Sequence, residues 1–242
     1  MSEAEIQTYP DATSLARAAA EHFVTLAAEA IAVRGRFAVA LSGGSTPHAT
    51  YTLLASDEFA ARVDWPRVHV FWVDERCVPP DHPESNFRLA HEVLFSRVPI
   101  PSGNIHRAQG ELEPEVAAQA YAEELLAFFG APWPRFDLIL LGMGDDGHVA
   151  SLFPGSAALR ETVRPVVAVT AYYQDRPAHR VTLTPPAINV ARQVLFLVTG
   201  ANKAETLQAV LKGPDGRFPA QQIRPTSGRL TWLVTETAWR KD

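Results

Sequence analysis

The sequence predicts an α/β protein, one domain over residues 1–242, built on a mostly parallel Rossmann-like sheet with helices on both faces. Two observations carry this. Strand-sized apolar runs alternate with helical stretches along most of the chain. Three of those runs, starting near Phe37, Val68 and Phe136, end in polar or glycine-rich clusters, as strands do where an open α/β sheet binds its ligand.

In chain order, Asp11 or Thr13 can cap a first helix, along which Leu15, Ala19, Phe23, Leu26 and Ala30 recur at helical spacing until Gly35 stops it. Phe37–Leu41 is a strand running into a tight turn, and a helix to about Ala55 follows with Pro47 at its first position. Val68–Val73 is the next strand. The three prolines within residues 77–84 make a loop, and Asn86–Phe95 a short helix. Pro114–Phe129 reads as a helix opened by proline and closed by Gly130. Phe136–Leu141 is the most strand-like run. Val163–Thr170 and Arg180–Leu183 read as further strands, Pro185–Ala191 as a short helix, Gln193–Val198 as a strand, Ala201–Leu211 as a helix and Leu230–Thr235 as a last strand.

Composition narrows the function classes. With 22 basic and 27 acidic residues the chain carries −5, which gives no general attraction to nucleic acid or anionic membrane. Any anionic substrate must therefore meet positive potential that is built locally. The lone Cys77 excludes a disulfide framework and a cysteine-based zinc site, and suits a reducing compartment. No apolar run approaches the ~20 residues of a membrane helix, and the acidic start lacks the basic region and apolar core of a signal peptide. A cytoplasmic protein is expected, monomer or dimer.

The turn Ser42-Gly43-Gly44-Ser45-Thr46 ahead of a helix is a candidate phosphate cradle, since glycines admit close approach and a helix start offers unpaired N–H groups. Its bland alternative is a tight strand-to-helix connection. Gly142-Met143-Gly144-Asp145-Asp146-Gly147 matches the dinucleotide fingerprint in form only: two carboxylates would repel a pyrophosphate, and Pro154 cuts the following helix short. His148 follows that turn. An ordinary imidazole titrates near ~6.5 and can act as a neutral base. Asp146 can orient it or receive a substrate hydroxyl. Asp74-Glu75-Arg76 ends a strand, where an arginine can grip phosphate through two hydrogen bonds, or simply sit in a surface ion-pair cluster. Lys203, near a helix start, makes better electrostatic sense with an anion beside it, and Arg180 can join the same site. There is no H-E-x-x-H and no G-x-S-x-G. The five tryptophans are dispersed, as packing residues are.

These stretches together carry a resemblance. Leu41–Pro47, Phe71–Arg76, Gly142–Pro154, Arg180–Asn189 and Val198–Lys203 resemble, in order and over most of the chain, the 6-phosphogluconolactonases within the glucosamine-6-phosphate isomerase/deaminase superfamily. Ser151-Leu152-Phe153-Pro154 is the lactonase form; the deaminases carry a functional Glu in that stretch, and Asp-Glu-Tyr in place of Asp74-Glu75-Arg76. Pro185-Pro186, where one proline is usual, is the single oddity.

The resemblance implies hydrolysis of 6-phosphoglucono-1,5-lactone to 6-phosphogluconate in the oxidative pentose phosphate pathway, with no metal and no organic cofactor. It implies His148 as catalytic base, and it places Ser42, Gly43, Gly44, Ser45, Thr46, Arg76, Arg180 and Lys203 around the substrate and its phosphate. Beside the resemblance, Asp146 and Arg76 are expected to join His148 in catalysis and Asp74 to bind substrate. The competing classes are an aminosugar-phosphate isomerase/deaminase and a sugar-phosphate-binding module without catalysis. The missing Glu argues against the first, and the lack of a basic helix-turn-helix against the second.

Overall fold

The computed structural model describes residues 4–239. Strand β1 (Glu5–Tyr9) leads to helix α1 (Ala12–Arg34), β2 (Phe37–Leu41), α2 (Ser45–Leu54) and the single turn α3 (Asp57–Ala60). Then come β3 (Val68–Trp72), β4 (Asp74–Arg76), α4 (Asn86–Ala90, prolonged by a π turn at His91–Phe95) and α5 (Pro114–Phe129). The second half runs β5 (Leu138–Leu141), β6 (Val166–Thr170), β7 (His179–Leu183), α6 (Pro185–Asn189), β8 (Gln193–Val198), α7 (Ala204–Lys212) and β9 (Arg229–Thr235).

Six strands form an entirely parallel sheet in the order β1-β9-β8-β5-β2-β3. Its central strands β2, β5 and β8 are buried along their whole length, so they read as unbroken apolar runs rather than alternating ones. The period of two shows instead in which core each side chain enters. Phe37, Val39 and Leu41 face the layer of α1 and α2 with Phe23 and Tyr51, while Ala38 and Ala40 face the layer of α5, α6 and α7 with Tyr121, Ile188 and Leu207.

The helix ends follow the expected chemistry. Asp11 caps α1 by accepting from Ser14 N–H at 2.7 Å, and Gly35, at φ 74°, turns its N–H onto Ile31 O. Gly130 closes α5 in the same way. Three details differ from the sequence reading. Strand β1, which pairs in parallel with β9, has no sequence counterpart because it is short and half exposed. Helix α2 starts at Ser45, so Pro47 is its third residue, still within the turn whose N–H groups need no partner. Residues 201–203 form a 3₁₀ turn ahead of α7.

The larger difference is a second sheet. Strands β4, β7 and β6 form an antiparallel three-stranded sheet on the α5 side. Only residues 171–178 separate β6 from β7, too few for the crossover that parallel pairing needs. Asp74-Glu75-Arg76 is therefore a strand of its own, not the loop end of β3.

Within the six-stranded sheet, the next strand after β2 is β3, on one side, and the next after β5 is β8, on the other. The loops after β2 and β5 diverge there, opening a crevice at the strands' carboxyl ends.

Candidate active site

That crevice holds a cavity of about 350 Å³. It is lined by Ser42, Gly43, Gly44, Ser45 and Thr46 from the loop after β2, Asp74 and Arg76 from β4, and His148 from the loop after β5. Arg180 from β7 and Lys203 from the turn after β8 complete the set. Of the eleven sequence-predicted site residues, only Asp146 is not on its wall. Asp146 stands behind His148: its Oδ1 accepts from the His148 backbone N–H at 3.1 Å and lies 2.6 Å from Nδ1. Burial pushes the Asp146 carboxyl up, but the hydrogen bonds and charge of His148 outweigh it and leave it below the usual carboxylate range. Asp146 thus stays ionised and holds the proton on Nδ1, leaving Nε2 as the free ring nitrogen.

Glycine is required where the loops touch each other. A Cβ on Gly144 would come within 2.1 Å of His148 Nδ1, and one on Gly43 within 1.9 Å of Asn86 Oδ1. Not every lining residue has free donors. Ser42 is locked: its hydroxyl donates to Leu140 O, its N–H to the Tyr51 hydroxyl, and its carbonyl accepts from that same hydroxyl. Thr46 shares a hydroxyl contact with Thr199 at 2.8 Å. Ser42 shapes the bend, and the N–H groups at the start of α2 remain for a ligand.

The electrostatics are lopsided. Four cations, Arg76, Arg176, Arg180 and Lys203, share the wall with two carboxylates, Asp74 and Asp145, in a chain of net charge −5. Asp145 is held by the Asn202 amide at 2.9 Å and Asp74 by the Ser151 hydroxyl at 2.7 Å. Arg76 and Arg180 are direct cross-strand neighbours, a like-charge pairing that costs stability by itself. Nε of Arg76 and both Nε and Nη2 of Arg180 are buried without a hydrogen-bond partner. Burial lowers the Arg180 pKa, reinforced by Arg76 and Arg176 and opposed by Asp74 and, less, by Glu84. Burial also lowers that of Lys203, with Asp145 in opposition. An anion between these groups would offset the repulsion and take up the idle donors.

Glu75 points the other way. Its buried carboxylate accepts from the N–H groups of Arg76, Asn86 and Phe87 and from the Ser85 hydroxyl, pinning the loop before α4 against the second sheet. Asn86 in turn donates to Asp74 O at 2.9 Å.

Sequence reasoning left several lining residues unassigned: Asn86, Asp145, Tyr173, Arg176 and Asn202. Tyr173 and Arg176 lie between β6 and β7 with no motif to mark them, and only the hairpin brings them over the crevice. Phe153 stacks on His148 at 4.4 Å between ring centroids, and Tyr173 meets the same imidazole edge-on at 4.9 Å.

Comparison with known proteins gives the family. Residues 10–232 match the family described as glucosamine-6-phosphate isomerases/6-phosphogluconolactonase. The 6-phosphogluconolactonase of Nostoc sp. is 41% identical over 239 residues, covering 96% of both chains. That of Synechocystis sp. is 44% identical over 216 residues, covering 87% of this chain and 86% of the relative. The crystal structure of the 6-phosphogluconolactonase of Thermotoga maritima superposes with a TM-score of 0.83 at 35% identity, covering 96% of this chain and 100% of that one. A monomeric glucosamine-6-phosphate deaminase, 20% identical, shares the fold at a TM-score of 0.83 over 97% and 98% of the two chains. With residues 10–232 matched by the family model and a relative 41% identical over 96% of both chains, the chain belongs to the glucosamine-6-phosphate isomerase/6-phosphogluconolactonase family.

Proposed function

We propose that this chain, as one lactonase domain over residues 1–242, hydrolyses 6-phosphoglucono-1,5-lactone to 6-phosphogluconate, the ring-opening step of the oxidative pentose phosphate pathway, in the cytoplasm. One observation carries the reading: an imidazole backed by a carboxylate shares a single cavity with a paired-arginine, amide-lined anion site.

The substrate's phosphate lies among Arg180, Lys203 and the N–H groups of the bend at Gly43–Thr46, which sets the lactone carbonyl near His148. Asp74 accepts from a sugar hydroxyl. Nε2 of His148 takes a proton from water as the oxygen bonds to C1, and the carbonyl electrons move onto an oxyanion held by Arg76. When the oxyanion collapses, the bond from C1 to the ring oxygen breaks, and the imidazolium returns its proton to that oxygen. The product acid then ionises. A six-membered lactone is an activated ester, so base catalysis and positioning suffice, and the route calls for neither metal nor organic cofactor.

The test is an assay against freshly generated 6-phosphogluconolactone with the spontaneous rate subtracted. Hydrolysis far above that rate, and much weaker on the lactone lacking phosphate, is the expected result. Release of ammonia from glucosamine 6-phosphate would point to the isomerase/deaminase chemistry instead, and binding of 6-phosphogluconate without turnover to a sensor.

Gly144→Ala offers a second check that removes no polar group. The added methyl would lie 2.1 Å from His148 Nδ1 and 2.9 Å from Asp146 Oδ1, so the paired imidazole and carboxylate must shift. A displacement of about 1 Å can cost ~10²-fold in turnover. Turnover within twofold of the parent would mean that the placement of His148 is immaterial.

A further inference from the structure

The Ser151-Leu152-Phe153-Pro154 stretch sets a ring, left unused by the mechanism above, against two of the cavity's lining residues, His148 and Arg180. Val149 and Leu152 form a one-residue bridge closed by Leu152 N–H on Val149 O at 2.8 Å, with Ala150 held at φ 49°, a left-handed conformation that alanine disfavours. This strained turn doubles the chain back so that Phe153, five residues on, lies flat against His148, the two planes 27° apart. The Arg180 guanidinium lies over the same Phe153 ring, 5.5 Å from its centroid. Phe153 is itself 9% exposed. One aromatic ring thus abuts both the base and a cation of the anion site.

We propose that Phe153 is a positioning residue for the lactone reaction: its π face braces the His148 imidazole against Asp146 and stabilises the imidazolium that forms when His148 takes the proton from water. This rests on the reading of His148 as the base. The physical reason is the ring quadrupole. A neutral imidazole gains only packing from a phenyl face, whereas an imidazolium gains electrostatic attraction as well. The contact therefore strengthens at the step where charge develops, which is when it can help turnover. The ring also gives the imidazole an uncharged wall, so that Asp146 is the one carboxylate in contact with it among the described residues.

Other groups also face the imidazole. Asp146 and the Tyr173 hydroxyl-bearing ring touch it directly. Asp145 from its own loop, Asp74 and Arg76 from β4, Arg176 and Arg180 from the hairpin, and Lys203 after β8 share its cavity. Any change in its titration must be read at constant occupancy of these groups, so the decisive variant has to keep the shape of Phe153.

The test replaces Phe153 alone by phenylalanines of increasing fluorination, which drain the π face while keeping the ring nearly the same size. The His148 titration is followed by NMR in the unliganded chain, its resonance identified by its loss in His148→Ala. The expected result is a stepwise fall in the titration midpoint, reaching about half a unit to one unit, the size a partly buried cation–π contact gives. The acid limb of kcat/KM for 6-phosphogluconolactone should move with it. In Phe153→Leu, kcat should fall about tenfold with KM changed by a fewfold at most, since the base loses its brace but the phosphate keeps its lysine and amides. A midpoint that stays put across the fluorinated series overturns the proposal, even if Phe153→Leu is inactive or unfolded. Because the NMR midpoint needs no turnover, a chain whose midpoint shifts but which does not hydrolyse the lactone would retire the lactonase reading and leave the ring contact standing.

Discussion

His148→Ala lowers turnover on 6-phosphogluconolactone by about 10²–10⁴-fold, the usual contribution of a positioned general base, while 6-phosphogluconate still binds. The prediction follows from how the ring is held. Asp146 occupies Nδ1 and the backbone N–H of the same residue, and Phe153 and Tyr173 cover a face and an edge of the ring. The imidazole therefore has one orientation, with Nε2 as its free nitrogen. Removing it takes away none of the anion site's own cations, because Arg76, Arg180 and Lys203 come from other elements. The loss should fall on kcat and not on KM. The parent enzyme should lose activity as acid protonates the imidazole. Asp146, already held below the usual carboxylate range, stays ionised through that interval, so the fall reports the imidazole rather than the loss of its partner. A rate unchanged from pH 8 to pH 5, or a His148→Ala variant with near-parental turnover, would remove His148 from the base role.

How much of the fold and the site is legible in the sequence turns on where each residue gets its meaning. The three polar clusters were readable because the bend after β2, the three residues of β4 and the loop after β5 each carry their chemistry in consecutive residues. Parallel order was readable because β2, β5 and β8 are buried on both faces and show as unbroken apolar runs. The second sheet was not, because β4 has three residues and its partner β7 lies about a hundred positions later. The pairing of Arg76 with Arg180 was hidden for the same reason. Either arginine alone looks like an ordinary surface cation, and only the antiparallel register sets them side by side. The choice left open for Asp146, between orienting His148 and binding a sugar hydroxyl, needed side-chain geometry: the carboxylate turns onto the ring and leaves the cavity wall. Ser42 shows the opposite limit, a residue of the right type at the right place whose donors are already spent on Leu140 and Tyr51.

Arg180→Met separates the anion site from the scaffold. Arg180 is 3% exposed, opposes Arg76 across the strand pair, and leaves Nε and Nη2 without partners. A residue kept for stability would not be arranged in this way. A buried cation beside a like charge is costly, and an apolar side chain of similar length is often neutral or better in its place. Methionine should therefore leave the unliganded chain melting at or above the parental temperature. The ligand tells the opposite story. A charge-assisted hydrogen bond to phosphate contributes roughly 1.5–3 kcal/mol, so kcat/KM for the phosphorylated lactone should drop by about 10–150-fold. Turnover of the lactone lacking phosphate should change little. The rise in melting temperature produced by 6-phosphogluconate should shrink in step, because ligand stabilisation grows with the logarithm of ligand concentration over Kd. The two readouts move in opposite directions only if Arg180 is held in place for an anion. An unliganded melting temperature that falls by many degrees, with the ligand-induced rise intact, would make Arg180 part of the framework and leave the phosphate to Lys203 and the amides of the bend after β2.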